Sequence, residues 1–426
     1  MAGSYDTRTL VYDTAIIGGG PAGSTAAARL AQRGHRVLLL EKEQFPRFHI
    51  GESLLPCTMP LFEELGVAAE LTRFLPKHAA EFVTADGALS RRYAFADGIV
   101  PGPTSAYEVD RAEFDSVLLN NAARSGAEVR QGVEVTKLSF DRADRVEIDL
   151  RGGDQVAARM VIDASGQGSL IASRRGLREM DHGLKNFAVF SHFEGAHRAQ
   201  GRREGDISVV LVPEGWWWVI PLRNDRTSVG LVGPARKLAG RKPDAAYFEE
   251  RIANTPYLRE RLANARRVAP VRTISDYSYV SRSFAGDRWL LVGDAAAFID
   301  PVFSTGVHLG TSGAFRAADA VDRALARGDL GRGAFREYER WLRRTVGTYR
   351  DFVHGWYQPE FAEVMMHPSD RLELRQAVTS LLAGHGTEQF GVAWRIFVFR
   401  AVTRANKRWA LTPRLAGRRD STALEG

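Results

Sequence analysis

Tyr12-Asp13-Thr14-Ala15-Ile16-Ile17-Gly18-Gly19-Gly20-Pro21-Ala22-Gly23, near the start of the chain, decides the fold. Its first half is apolar enough for a buried strand, its glycines break that strand into a turn, and Ser24 to about Arg33 reads as a helix. A second apolar strand, Val37-Leu38-Leu39-Leu40, ends in Glu41. This β-α-β unit carries Gly18-x-Gly20-x-x-Gly23 with an acid roughly 20 residues on, the fingerprint of a dinucleotide site. Gly18 permits the tight turn, Gly20 lets the backbone approach a pyrophosphate, and Gly23 lets helix and strand pack closely. The pyrophosphate belongs on the helix N-terminus, where free N–H groups and the helix dipole favour negative charge. Glu41 is placed to accept hydrogen bonds from ribose hydroxyls. Which dinucleotide binds, and for what purpose, stays open at this point.

A chain of 426 residues can bury a large core and ordinarily divides into two or three domains. Its 44% hydrophobic and 26% charged residues are the balance of a soluble globular protein. No apolar run approaches a membrane span and the N-terminus lacks the apolar core of a signal peptide, so a cytoplasmic protein is expected. The single cysteine, Cys57, excludes an internal disulfide framework and any multi-cysteine metal site, and reads as a small buried residue. A net charge of +7 suits an acidic partner, such as a carrier protein, or an anionic cofactor. No basic stripe interleaved with aromatics stands out, which argues against nucleic acid. Arg414 to Gly426 reads as a frayed tail.

Beyond Glu41, Phe45 to Pro56 reads as a loop and a helix resumes near Met59. Phe74 to Val83 leads into a strand, and the segments around Arg91–Phe95 and Ala106–Val109 alternate as half-buried antiparallel strands do. Asp110 caps a helix running to about Ser125. Short strands from Glu128 close on Met160-Val161-Ile162-Asp163, which ends in the small-residue turn Ala164-Ser165-Gly166. Strand formers from about Lys185 to Val232 predict a second, antiparallel sheet, followed by a polar helical piece from Asp244 to about Leu262. The apolar strand Trp289–Val292 then ends in Gly293-Asp294, a glycine loop follows over Asp300–Val307, and helical, arginine-rich sequence continues to about Trp409.

Three turns at strand ends exceed what a nicotinamide dehydrogenase needs, and suit a protein holding a whole flavin. The combination resembles the flavin-dependent monooxygenase superfamily typified by p-hydroxybenzoate hydroxylase, over roughly residues 10–340. That resemblance implies an α/β fold with an FAD-binding Rossmann domain, 1–185 with 275–345. An antiparallel-sheet substrate domain, 186–274 with about 83–110, and a C-terminal helical cap and tail, 346–426, complete it. It implies Asp294 on the flavin ribityl chain and Arg111 as a second cofactor contact. It extends the FAD set to Ala22, Lys42, Arg47, Glu52, Ser53, Asp163, Pro301 and Gly306.

Within the superfamily, Gly51-Glu52-Ser53-Leu54-Leu55-Pro56 looks like the GES-x-x-P loop shared by flavin-dependent halogenases and their reductase relatives. Trp216-x-Trp218-x-Ile220-Pro221 matches the W-x-W-x-I-P motif of the halogenases. Lys77 lies in a segment similar to the lysine segment of the phenol and pyrrole halogenases, with Ala79 where those have glycine. Tryptophan halogenases carry glutamate before Ser-Thr-Gly; this chain has Phe303, which argues for a phenol or pyrrole ring instead.

The resemblance implies an enzyme in which FADH2, O2 and chloride or bromide generate hypohalous acid, a chemistry that belongs to the cofactor. The halide would sit on the amides of Thr305 and Gly306 at a helix start. Trp216, Trp218 and Pro221 would wall the flavin from the substrate, and Lys77 would direct the halogen, as hydrogen-bond donor or as a chloramine. Glu81, His78, His49 and Tyr107 are alternative bases for an electron-rich ring. His308, and Phe298, Phe303, Trp356 and Tyr357, read as packing or pocket residues. With no second GxGxxG for a nicotinamide, a separate NAD(P)H-dependent flavin reductase must supply FADH2 to this soluble protein. The substrate is a free aromatic metabolite or an aromatic acyl group on an acyl or peptidyl carrier protein. The rivals are an FAD-dependent aromatic hydroxylase or prenyl reductase of the same fold, and a non-catalytic flavin-binding protein.

Overall fold

The computed structural model of the chain describes residues 11–386 and 388–415. The expected tail lies outside the described residues from 416 onward, and so do the first ten residues of the N-terminus.

The opening fingerprint forms strand Val11–Ile17, helix Pro21–Gln32 and strand Val37–Glu41. Gly18 turns at φ +103°, and a Cβ there would meet the Ala164 carbonyl oxygen at 2.3 Å. At Gly23 a Cβ would lie 1.9 Å from the Gly18 carbonyl oxygen, so helix and strand meet this closely only through glycine. Val11–Ile17 pairs in parallel with Val37–Glu41 and with Gln155–Asp163. Trp289–Leu291 and Glu128–Gln131 extend the parallel sheet at its two sides. Strands buried on both faces need no polar alternation, which is why Val37–Leu40 is uninterrupted apolar sequence. The carboxyl ends of these strands bring the Gly18, Glu41, Ala164 and Gly293 segments to one edge, the edge where such sheets bind ligands.

The second sheet runs Asn186–Glu194, Arg226–Pro234, Gly215–Pro221, Ile207–Val212, Ala79–Thr84, Ser90–Ala94. Its pairs are antiparallel except Ile207–Val212 with Ala79–Thr84. One face joins the main core; the other packs Val210, Trp217 and Val219 onto Tyr247, Phe248 and Leu258. The expected helical piece from Asp244 is two helices, Ala245–Ala253 and Pro256–Arg261. Pro256 has no N–H to continue the first helix, so the chain breaks before it. Ala106–Glu108 stands apart from this sheet and pairs with Leu75–Lys77. Gly98, Pro101, Gly102 and Pro103 interrupt the chain after Ser90–Ala94 and let it turn away.

Helices Thr305–Arg327, Arg336–Trp356, Pro359–Met366, Leu374–Leu382 and Phe390–Trp409 complete the described chain. Phe361 locks the last group together, its ring 4.7 Å from Phe352 and 5.1 Å from Phe399. Leu374–Leu382 is tied to the rest of the protein at its C-terminal end. The Cys57 N–H donates to the Ala383 carbonyl at 3.0 Å, and the Ile99 N–H to Ser380 Oγ at 2.9 Å. Among the described residues no helix is long and apolar enough to cross a membrane.

Candidate active site

A cavity of about 780 Å³ lies where the parallel sheet's ligand edge faces the second sheet, lined by residues of both. Gly18, Gly20, Ala22, Glu41 and Lys42 line it. Glu41 already accepts the Gly19 N–H at 2.6 Å and the Glu43 N–H at 2.8 Å, which fixes its carboxylate against the turn. The side of Gly20 is open: a Cβ there would meet only the Arg47 guanidinium, at 3.5 Å. Gly23 stands behind the turn and does not reach the cavity.

Arg47 and Arg111 line the cavity and share one carboxylate. Arg111 holds Asp115 through two bonds of 2.8 and 3.0 Å, and Arg47 reaches the same carboxylate at 3.2 Å. Burial alone would lower the Arg111 pKa, but Asp115 overrides it and the guanidinium is held above its ordinary value. Asp294 also lines the cavity, and burial pushes its carboxyl up to about 6 against the pull of Arg111. Asp163 does not reach the cavity. Its carboxylate is taken up by the Ser165 N–H and hydroxyl and by the Ile171 N–H, at 3.0, 2.5 and 2.7 Å. It shapes the Ala164–Gly166 turn from behind the cavity lining, off the place expected of a direct cofactor contact.

Pro301, Thr305 and Gly306 line the cavity too. Ser304, at φ +56°, swings the chain into helix Thr305–Arg327, whose first-turn N–H groups have no partner within the helix. Asp300 anchors this loop by accepting from the Val302 N–H at 3.1 Å, the Asn186 amide at 2.9 Å and the Tyr357 hydroxyl at 2.8 Å. Burial pushes the Asp300 carboxyl up to about 6.

Trp216 and Trp218 face the cavity while Trp217, between them, packs on Phe248 with ring centroids 5.6 Å apart. Alternation along the strand thus divides the tryptophans between two cores. Trp218 fits because its neighbour across the strands is Gly230, where a Cβ would lie 2.2 Å from the indole. Pro221 is buried but off the cavity lining, so of the expected partition only the two tryptophans reach it.

Glu52 and Ser53 line the cavity. The Glu52 carboxylate lies 2.6 Å from His192 Nε2, both side chains being buried. The Ser53 hydroxyl donates to Glu108 at 3.1 Å and accepts from Lys77 Nζ at 2.7 Å. Lys77 also donates to the Leu54 carbonyl at 3.1 Å, and its amine sits 5.3 Å from the centre of the Phe95 ring. At 1% exposure Lys77 is sealed from solvent, and it does not line the cavity: Ser53 stands between. Burial lowers the Lys77 pKa, against the pull of Glu108 and Asp206, and pushes the Glu108 carboxyl up to about 8.

Of the alternative bases, only His49 lines the cavity. Burial, with Arg111 nearby, lowers it to about 4, so its ring is neutral and Nδ1 donates to the Ile50 carbonyl at 2.6 Å. Glu81 is engaged by Ser90 and Arg203 outside the cavity, where His78 and Tyr107 also lie. His308 packs against Cys57 Sγ at 3.2 Å and Thr58 Oγ1 at 3.1 Å. Burial lowers its pKa to about 4 and pushes the Cys57 thiol up to about 12. Phe303 packs 5.0 Å from Phe352 and 6.0 Å from Trp356, whereas Phe298 lines the cavity. Sequence reasoning missed His192, Asn186 and Glu108. In Tyr107-Glu108-Val109 the apolar alternation points Glu108 outward, yet Glu108 and Val109 are both buried, so the pattern carried no signal for it.

The sequence model of the family described as tryptophan halogenase matches residues 13–98 and 78–362 of the chain. A 1H-pyrrole-2-carbonyl-(peptidyl-carrier protein) chlorinase of Pseudomonas fluorescens is 33% identical, over 86% of this chain and 88% of the relative. Among solved structures, a flavin-dependent brominase superposes with a TM-score of 0.82 at 28% identity, over 94% of this chain and all of that one. A flavoprotein/dehydrogenase of Cytophaga hutchinsonii superposes with a TM-score of 0.85 at 28% identity, over 93% and 99% of the two chains.

Proposed function

The chain belongs to the tryptophan-halogenase family of flavin-dependent halogenases, enzymes that use FAD, and on that premise we propose that it halogenates a phenol or pyrrole ring through Lys77. The observation that carries this reading is the buried Lys77 amine, one hydroxyl away from the cavity and bonded to Ser53 and the Leu54 carbonyl.

The cavity suits FAD. Gly18 and Gly20 give a bare backbone approach, Glu41 would meet a ribose, and Arg47, Arg111 and Asp294 would offer charged contacts. Gly18, Gly20, Ala22, Glu41, Lys42, Arg47, Arg111, Asp294 and Pro301 would hold the cofactor. Bound as FADH2, it would supply the oxygen chemistry that turns chloride or bromide into hypohalous acid. The free amides of Thr305 and Gly306 at the start of a 23-residue helix would bind the halide. Trp216 and Trp218 would close the flavin side, so that substrate and cofactor do not touch.

Lys77 then receives hypohalous acid, HOX, arriving past Ser53. As ammonium it donates a proton to the HOX oxygen while X moves to the ring carbon. Water leaves, and the ring proton returns to the amine, so that HOX and ArH give ArX and H2O. As neutral amine it takes X on nitrogen while one amine proton leaves with the hydroxide as water. X then passes to the ring carbon as the ring proton returns to the nitrogen. Desolvation lowers the Lys77 pKa and so favours the neutral form.

The pyrrole-carrier chlorinase acts on a carrier-bound ring. By analogy, and with a net charge of +7 to attract an acidic carrier, a carrier-tethered pyrrole is the first substrate to test, with free phenols second. The enzyme would be cytoplasmic, with FADH2 supplied by a separate NAD(P)H-dependent reductase. Mass spectrometry after incubation with a flavin reductase, NADH, FAD, chloride or bromide, and both substrate panels tests the reading. A product that gains halogen supports it; one that gains oxygen favours the hydroxylase alternative.

A further inference from the structure

We propose that Glu108 is a positioning residue for Lys77, exchanging a proton with its amine through the Ser53 hydroxyl and so setting which form of the amine meets the halogen donor. This rests on the reading that Lys77 directs the halogen. Glu108 and Lys77 stand on neighbouring strands, Ala106–Glu108 and Leu75–Lys77, and both side chains are buried, at 0% and 1% exposure. Glu108 makes no direct ion pair with Lys77. The Ser53 hydroxyl bridges them instead, donating to Glu108 at 3.1 Å and accepting from Lys77 at 2.7 Å.

The backbone holds this bridge in place. The Val109 N–H donates to the Glu52 carbonyl at 2.7 Å and the Leu54 N–H to the Tyr107 carbonyl at 3.0 Å, clamping both sides of Ser53. Glu108 Oε2 has no partner among the described residues, which makes the ionised carboxylate costly and the acid form accessible. The exchange balances without an outside acid. An ammonium proton of Lys77 passes to Ser53 Oγ as the serine's own proton passes to Glu108 Oε1, leaving a neutral amine and a neutral carboxylic acid. The reverse transfer restores both charges.

Other charges face the pair from every side. Asp206 acts on both members but is held by Arg92 at 2.7 Å. Glu52 faces Glu108 but is engaged by His192, and Arg111 lies beyond Glu52. Asp206 and Glu52 are thus tied to Arg92 and His192, whereas Glu108 is the acid that shares the Ser53 hydroxyl with the Lys77 amine.

The test is Glu108→Gln, which keeps the shape and removes the titratable acid. Lys77 titration is followed by NMR on protein carrying 13C-labelled lysine, its signal assigned with Lys77→Arg. Removing a negative charge beside the amine is expected to lower its midpoint by a pH unit or more. Halogenation should fall tenfold or more with a displaced pH optimum, while FADH2 oxidation stays within twofold of the parent. Should that variant not fold, Ser53→Ala severs the bridge and is expected to displace the optimum likewise. A midpoint and pH profile superimposable on the parent's overturn the proposal. Lys77→Ala in the same assay separates the two readings. If it still halogenates, the role of Lys77 falls; if it does not, while Glu108→Gln behaves as parent, only the role of Glu108 falls.

Discussion

Trp216 Nε1 donates to the hydroxyl of Tyr357 at 3.1 Å, and that hydroxyl donates to Asp300 at 2.8 Å. One phenol thus ties the tryptophan strand of the second sheet to the loop that starts helix Thr305–Arg327. Tyr357→Phe leaves the indole N–H without its acceptor and Asp300 with one donor fewer, at a cost of about 1–3 kcal/mol. Calorimetry should show a lower melting temperature. Because both linked segments line the cavity, the yield of halogenated product per FADH2 oxidised should fall as well.

The glycines of the first turn separate folding from cofactor binding. Gly20→Ala meets only the tip of Arg47 at 3.5 Å, so the chain is expected to melt as the parent does. Its added methyl stands where the pyrophosphate backbone would approach, and FAD affinity should fall tenfold or more by flavin fluorescence titration. Gly23→Ala places a methyl 1.9 Å from the Gly18 carbonyl oxygen and should lower both the melting temperature and FAD affinity.

Asp294 gives a prediction with a definite sign in pH. Its folded-state pKa is raised by burial from 3.8 to about 6, so the folded chain binds the extra proton. The stability this represents is complete below 3.8 and is lost as pH rises through about 6. In protein free of FAD, Asp294→Asn should therefore gain on the parent between pH 4 and pH 8, by about 2–3 kcal/mol. Urea melts at the two pH values measure the gap. The same substitution should weaken FAD binding.

Much of the fold was legible because its signals are local. Gly18, Gly20 and Gly23 with Glu41 specify one β-α-β unit, and the strand formers from about Lys185 to Val232 specify the second sheet. Pro256 split a helix that its polar pattern alone presented as continuous. The site was less legible where its contacts are long-range. Glu52 meets His192 across 140 residues, and Tyr357 meets Trp216 across 141. No spacing rule links such pairs. Asp163 matched a motif position, yet its carboxylate is consumed by its own turn. Lys77 was found by resemblance, but not its burial behind Ser53, which depends on the register of three separate segments.

The most direct measurement compares Lys77→Ala with the parent enzyme for two outputs at once, FADH2 oxidation and halogenated product. Lys77 lies off the cavity and touches it only through Ser53, so the variant is expected to bind FAD and oxidise FADH2 at the parent's rate. Its halogenated product should fall below detection by mass spectrometry. A Lys77→Ala enzyme that still halogenates a substrate accepted by the parent would contradict the account.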